Sequence, residues 1–435
     1  MKKLNTTKLF GLFFITFLSG MPILANEWMW HGSFPWIYSY HDKEWKYWRT
    51  GKDARFYQWS QSSGGWQIYN DGEGAWQKLN APELNNTKWQ VWEANPGPYG
   101  GAFTLGKIKN AILASQSYLD LSYQRIEDLS PLSEAPHLRE LFLQANSISG
   151  LSPLQNLTSL EILHLGSNLI SDLTPLSNLL EVKELYLDDN PLDDLSPISG
   201  LGRLVRLSLA DTGISSVDLL EDLRLLEELN LRSNSITSIQ ALSGLNKVRF
   251  LDLGNNNISD LSPLSTFSSL SVLYGEDNNI TSIEGIAELS NLKELNLSNN
   301  QLSQLSEFSA VDSSSTYLWL ADFSRNLIND LQGLELLNNL RILALSQNRF
   351  SDLSPLSQMN ELSTLLIDFN EVADLSPIEN LPQLRGLYAN NNQLKEDTAV
   401  DQMTQLVELY IFDNNFTDLR KNEIQTALPK VKLEL

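Results

Sequence analysis

Asparagine recurs on a fixed grid along most of this chain, and the grid constrains the fold more than any other feature. Asn146, Asn168, Asn190, Asn234, Asn256, Asn278 and Asn300 are spaced by 22 residues or a multiple of 22, with Thr212 at the one vacant node. After an offset of 26 residues, Asn326, Asn348, Asn370, Asn392 and Asn414 resume the spacing, and Gln124 holds the node before Asn146. Each node ends a segment such as Leu138-Arg139-Glu140-Leu141-Phe142-Leu143-Gln144-Ala145-Asn146. A second half follows, as in Ile148, Leu151, Ser152-Pro153-Leu154 and Leu157, and one turn per node gives fourteen turns.

A turn of this length holds one short strand, with alternate leucines such as Leu141 and Leu143 pointing inward, and one return segment. It has almost no core alone, but stacked turns bury each other's leucines, and their strands become neighbours in one parallel sheet. The node asparagines mark the bend out of the strand, where backbone polar groups are left inside. An Asn side chain can bond the main chain of its own and adjacent turns, and unpartnered buried amides are costly. Thr212 lacks the carbonyl acceptor, which predicts a weaker rung or a water there. Prolines at 131, 153, 175, 197, 263, 355 and 377 suit the start of short 3₁₀ segments on the outer face.

The repeat resembles the leucine-rich repeat, in the 22-residue bacterial class of internalin-like proteins, over residues 118–417. The resemblance implies an α/β solenoid, a right-handed stack with a parallel β-sheet on the concave face and short 3₁₀, helical or extended return segments. It also implies protein recognition by the concave face. Both ends need covers. Leu105, Ile108, Ile112 and Leu113 predict a capping helix within 105–117, and residues 418–435 read as a closing helix and strand, as in a complete chain. The offset of 26 places an extra loop around residues 311–316, read as a tolerated surface insertion.

Ten of the eleven tryptophans precede residue 93, which sets that section apart. Lys2, Lys3 and Lys8, a mostly apolar run from Leu9 to Leu18 and the small residue Ala25 read as a secretory signal peptide over 1–25, its apolar run too short to span a bilayer. Residues 26–80 carry aromatic clusters about every ten residues, between turn formers, and predict a small aromatic-rich β-meander of four or five strands. Its rings either form the core of a domain of about 55 residues or offer a surface to a glycan or envelope polymer. The Phe34-Pro35-Trp36-Ile37-Tyr38-Ser39 stretch also resembles a Trp/Tyr-rich module of exported environmental bacterial proteins. Residues 81–104 read as a linker.

Cysteine is absent, so neither disulfides nor thiolate metal sites are available; with the leader, this fits an exported bacterial protein, extracellular, surface-held or periplasmic. A net charge of −22 excludes nucleic acid as a natural partner. Beyond the leader no stretch is long enough to cross a membrane, and no sorting motif is recognisable. The four histidines belong to no catalytic motif, so no enzyme and no cofactor is expected.

Strand alternation predicts the residues exposed on the sheet, and two patches stand out. One mixes acids and tyrosines: Tyr186, Asp188, Asp189 and Asp211, then Tyr274, Glu276 and Asp277. It suits a basic protein segment or, less specifically, calcium. The other, Leu366, Phe369, Tyr388, Tyr410 and Phe412, is largely apolar and suits an unidentified protein partner. A structural spacer or envelope-attached adhesin, and a carbohydrate-binding role for the aromatic section, are the alternatives.

Overall fold

The computed structural model describes residues 28–30, 36–39, 44–50, 56–60, 65–70 and 75–78 by their backbone, and residues 87–310 and 317–435 except Glu288. The leader at 1–25 and the insertion at 311–316 lie outside the described residues. The chain divides into two units, one of residues 1–95 and 105–114, the other of 96–104 and 115–435.

In the first unit, strands Trp28–Trp30, Trp36–Ser39, Glu44–Thr50, Phe56–Ser60, Gly65–Asn70 and Ala75–Lys78 form one antiparallel sheet in sequence order. Among the described residues there are six strands where four or five were expected, because Trp28–Trp30 pairs with Trp36–Ser39 as an additional strand. Within the stretch read as a linker, Thr87–Ala94 is a helix, where Trp89 and Trp92 are buried and meet edge to face at 4.9 Å. The helix expected within 105–117 occupies Gly101–Leu113.

The second unit is a right-handed leucine-rich-repeat solenoid. Among the described residues its fifteen strands, from Tyr118–Asp120 to Lys432–Glu434, form one sheet in strict sequence order. Every neighbouring pair is parallel, with no slip in register. The middle residue of each strand faces inward, and Leu141, Leu163, Leu185, Leu229, Leu251 and Leu273 are fully buried. All seven predicted prolines open 3₁₀ segments, as in Ser152–Leu154 and Ser376–Ile378.

Aspartates two residues before most of these segments tie down their first backbone N–H. Asp172, Asp194, Asp260, Asp352 and Asp374 each accept the backbone N–H of the following Ser or Thr at 2.8 Å. Hydrogen bonds from the side-chain hydroxyls of Thr174, Ser196 and Ser354, and then these backbone bonds, hold the carboxyls of Asp172, Asp194 and Asp352 below their ordinary pKa. Part of the chain's acidity is therefore turn chemistry and needs no basic partner.

The asparagines form the expected ladder. Asn168 donates from Nδ2 to Leu165 O (2.8 Å) in its own turn and Leu143 O (3.0 Å) in the preceding one, while its Oδ1 accepts Ile148 N–H at 3.0 Å. The same set recurs at Asn256 and Asn300. Asn326 keeps the pattern across the longer interval, bonding Leu297 O and Leu302 N–H. A feature absent from the sequence reading accompanies each node: the residue before it is left-handed, with φ from 51° to 61° between Ala145 and Asp413.

At Thr212 the backbone takes over part of the rung. Its hydroxyl donates to Leu209 O at 2.8 Å. Leu192 N–H, the group an asparagine would have received, turns to Asn190 O and Thr212 O at 3.0 and 3.3 Å. The turn is looser for it, since Leu192 and Ile214 are each 9 % exposed where Ile170 and Ile236 are fully buried. Thr212→Asn restores a carbonyl acceptor and a second donor, so it is expected to raise stability by about 1 kcal/mol. A urea midpoint at or below wild type would contradict this.

At one end of the solenoid, Pro98 O accepts Glu127 and Asp128 N–H at 2.8 and 3.0 Å. At the other, Thr417 caps helix Asp418–Ala427, and strand Lys432–Glu434 adds to Glu408–Tyr410. Arg420 is buried there, bonded to Asp397 O and Asp401.

Candidate functional site

Each three-residue strand places its first and third residues on the open side of the sheet. The third residues run in register from Asp120 through Phe142, His164, Tyr186 and Ser208 to Tyr388 and Tyr410, the column the sequence predicts. Sequence reasoning overlooked the parallel column of first residues, which includes Tyr118, Glu140, Glu184, Arg206, Glu228, Glu408 and Lys432. Its signal was available, since these residues stand two before the predicted ones.

The first predicted patch does not form one cluster. Tyr186 and Tyr274 are four strands apart in register, roughly 19 Å. Asp188 is already engaged, accepting Ala210 N–H at 3.0 Å and the Ser208 hydroxyl. Glu276 pairs with Arg232 two turns away. That reach crosses Gly254, where a Cβ would lie 2.5 Å from the guanidinium. Burial raises the pKa of neighbouring Asp252, 3.6 Å from Arg232. Asp189, Asp211 and Asp277 remain exposed, in left-handed positions. Among the described residues no group of three or more histidines or carboxylates is placed to hold a metal ion.

The second patch is contiguous along its centre. Leu366, Tyr388 and Tyr410 are consecutive in register, and the two tyrosine rings stack at 4.8 Å and 9°. Tyr388 OH donates to Glu408 Oε2 at 2.7 Å, a bond that pushes its pKa up to about 12. Lys432 sits 5.0 Å from the centre of the Tyr410 ring. Phe369 and Phe412 flank the pair at 54 % and 37 % exposure. Their backbones are tied through Asn390, which accepts Phe412 N–H on its side chain and Phe369 N–H on its carbonyl.

A third cluster emerges at the other end of the face. Tyr118, Phe142, His164 and Tyr186 form a series of ring contacts at 5.4, 4.5 and 4.1 Å across four adjacent strands. Burial among these rings lowers the His164 pKa below 6.5, against the opposing pull of Glu184 and Asp188. The folded state then takes up the proton less readily than the unfolded chain. Stability is therefore lost as pH falls from about 6.5 through the folded pKa. His164→Phe should shrink the loss of urea midpoint between pH 7 and pH 5; an unchanged loss would contradict this placement.

Among the described residues no helix is long and apolar enough to cross a membrane. The family model for leucine-rich repeats in two copies matches residues 136–178, 224–266 and 268–310. No curated protein matches the chain by sequence. Among solved structures, an internalin, InlF, from Listeria monocytogenes is similar at 26 % identity with a TM-score of 0.65, over 78 % of this chain and 95 % of that one. A leucine-rich-repeat protein from Leptospira interrogans shares the fold at 23 % identity and a TM-score of 0.61, over 75 % of this chain and 98 % of its own. With the asparagine ladder, the unbroken parallel sheet and these likenesses in hand, the chain belongs to the leucine-rich-repeat family and resembles its bacterial internalin-like members.

Proposed function

We propose that this chain is an exported recognition or adhesion scaffold that holds a protein partner against the open face of its sheet. Phe369 carries the reading. It is left-handed with φ 59° and 54 % exposed, at a grid position that elsewhere holds mainly small or polar residues such as Ser167, Asp189, Asn255 and Asn299. Any Cβ in that conformation costs about 1 kcal/mol, which Asn and Asp lessen through a local hydrogen bond of the side chain; a phenyl ring has no such bond to make, and a ring left in water offsets little of the cost by burial. Folding does not account for such a residue, whereas contact with a partner does, because aromatic anchors dominate interface energetics. Tyr388, Tyr410 and Phe412 extend the same surface.

The leader-like residues 1–25 and the likeness to an internalin support export. A leucine-rich-repeat solenoid is typical of non-catalytic scaffolds, which supports binding as the role. The test is whether the immobilised protein, lacking residues 1–25, still retains its partner when Tyr388, Tyr410 and Phe412 are truncated together.

A further inference from the structure

We propose that the opposite end of the same face is a second docking site, for a basic amphipathic segment of the partner, seated on the rings of Phe142, His164 and Tyr186. This rests on the scaffold reading and adds the chemistry of what is held. The Phe142 and His164 rings meet tilted at 4.5 Å and the His164 and Tyr186 rings stack at 4.1 Å, so the ring carbons form a mainly apolar ridge that also carries the imidazole and phenol groups. With Tyr118 the ridge crosses three strand spacings, roughly 14 Å, enough for a short run of partner side chains.

Charge decides what kind of segment fits. Segments 117–123, 139–145, 161–167 and 183–189 contain two cations, Arg139 and Lys183, and both are bonded to Glu161. Glu184 is paired with Arg206 of the next strand at 2.5 Å. Glu140 and Asp189 have no cationic partner among the described residues, and Asp188 is hydrogen-bonded only by uncharged donors. An apolar ridge flanked by unneutralised carboxylates favours apolar side chains alternating with Arg or Lys. The far end of the face differs, because there the chain supplies its own cation, Lys432, over Tyr410.

The experiment titrates the full protein, without residues 1–25, with three fluorescent octapeptides: alternating Arg-Leu, Glu-Leu and Arg-Ser. The Arg-Leu peptide is expected to bind at least tenfold more tightly than the other two. Glu140→Gln with Asp189→Asn should weaken it about tenfold, and Phe142→Ser similarly. The first pair is isosteric and exchanges side chains at the surface, so it reports even where Phe142→Ser disturbs folding. Equal affinity for Arg-Ser, or unchanged affinity in the carboxylate variant, would overturn the proposal. Truncation of Tyr388, Tyr410 and Phe412 should leave Arg-Leu binding intact, and its loss there would overturn the assignment to this end. If the peptide result fails while those truncations still release the partner, the scaffold reading stands and only the second site falls.

Discussion

Asn278→Ala is expected to destabilise the solenoid by about 3 kcal/mol, a large share of what holds most folds. Asn278 Nδ2 donates to Leu253 O, Gly275 O and Glu276 O, at 2.9, 3.3 and 3.1 Å. These acceptors are shared, since Leu253 O also receives Asn256, Gly275 O receives Asn300 and Glu276 O receives Asn255 N–H. Their loss is thus partial, worth roughly 0.5 kcal/mol each. Ile258 N–H differs, because Asn278 Oδ1, at 2.9 Å, is its acceptor, and leaving a buried donor unmet costs about 1–3 kcal/mol. Asn278→Asp should be at least as damaging, because it keeps that acceptor but turns a carboxylate oxygen towards three carbonyls. Urea denaturation of both variants checks the pair; a milder Asp variant would mean the donors matter little.

The second large effect is on binding. Truncating Tyr388, Tyr410 and Phe412 together is expected to weaken retention of the partner about a thousandfold, from roughly 4 kcal/mol of lost anchor contacts. The fold should survive, since the stacked pair contributes only about 1 kcal/mol beyond its burial and the truncated side chains stand on the open face of the sheet. Gln358→Ala with Asn360→Ala, exposed on the return side, is the control and should bind as wild type does. Retention by the triple variant, or equal loss in the control, would remove the C-terminal patch from the interface.

Most of the solenoid was legible in the sequence because repetition maps position onto contact. A residue 22 places away is the neighbour in the next turn, so Asn146 and Asn168 could be read as adjacent rungs and Leu366, Tyr388 and Tyr410 as one column. What escaped depends on geometry that the period does not carry. The Thr212 repair uses backbone carbonyls, which every residue owns and no sequence pattern marks. Arg232 meets Glu276 two turns away only because Gly254 between them lacks a side chain, and the left-handed backbone at Phe369 is visible only in its torsion. Asp188 looked free for a ligand because its bonds to Ser208 and Ala210 are made to the following turn. Phe142, His164 and Tyr186 are successive members of the predicted column, so their adjacency was legible and was overlooked, whereas the contact of Tyr118 was hidden because it crosses from the first-residue column to the third.

Backbone hydrogen exchange on the wild-type protein tests the ladder most directly. The amides of Ile148, Ile170, Ile236, Ile258 and Ile280 lie outside the strands, and each is received by the asparagine side chain 20 residues on. They should exchange as slowly as strand amides such as Leu163 and Leu251. Exchange at the rate of exposed loop amides would show that the asparagines do not bind the turns together.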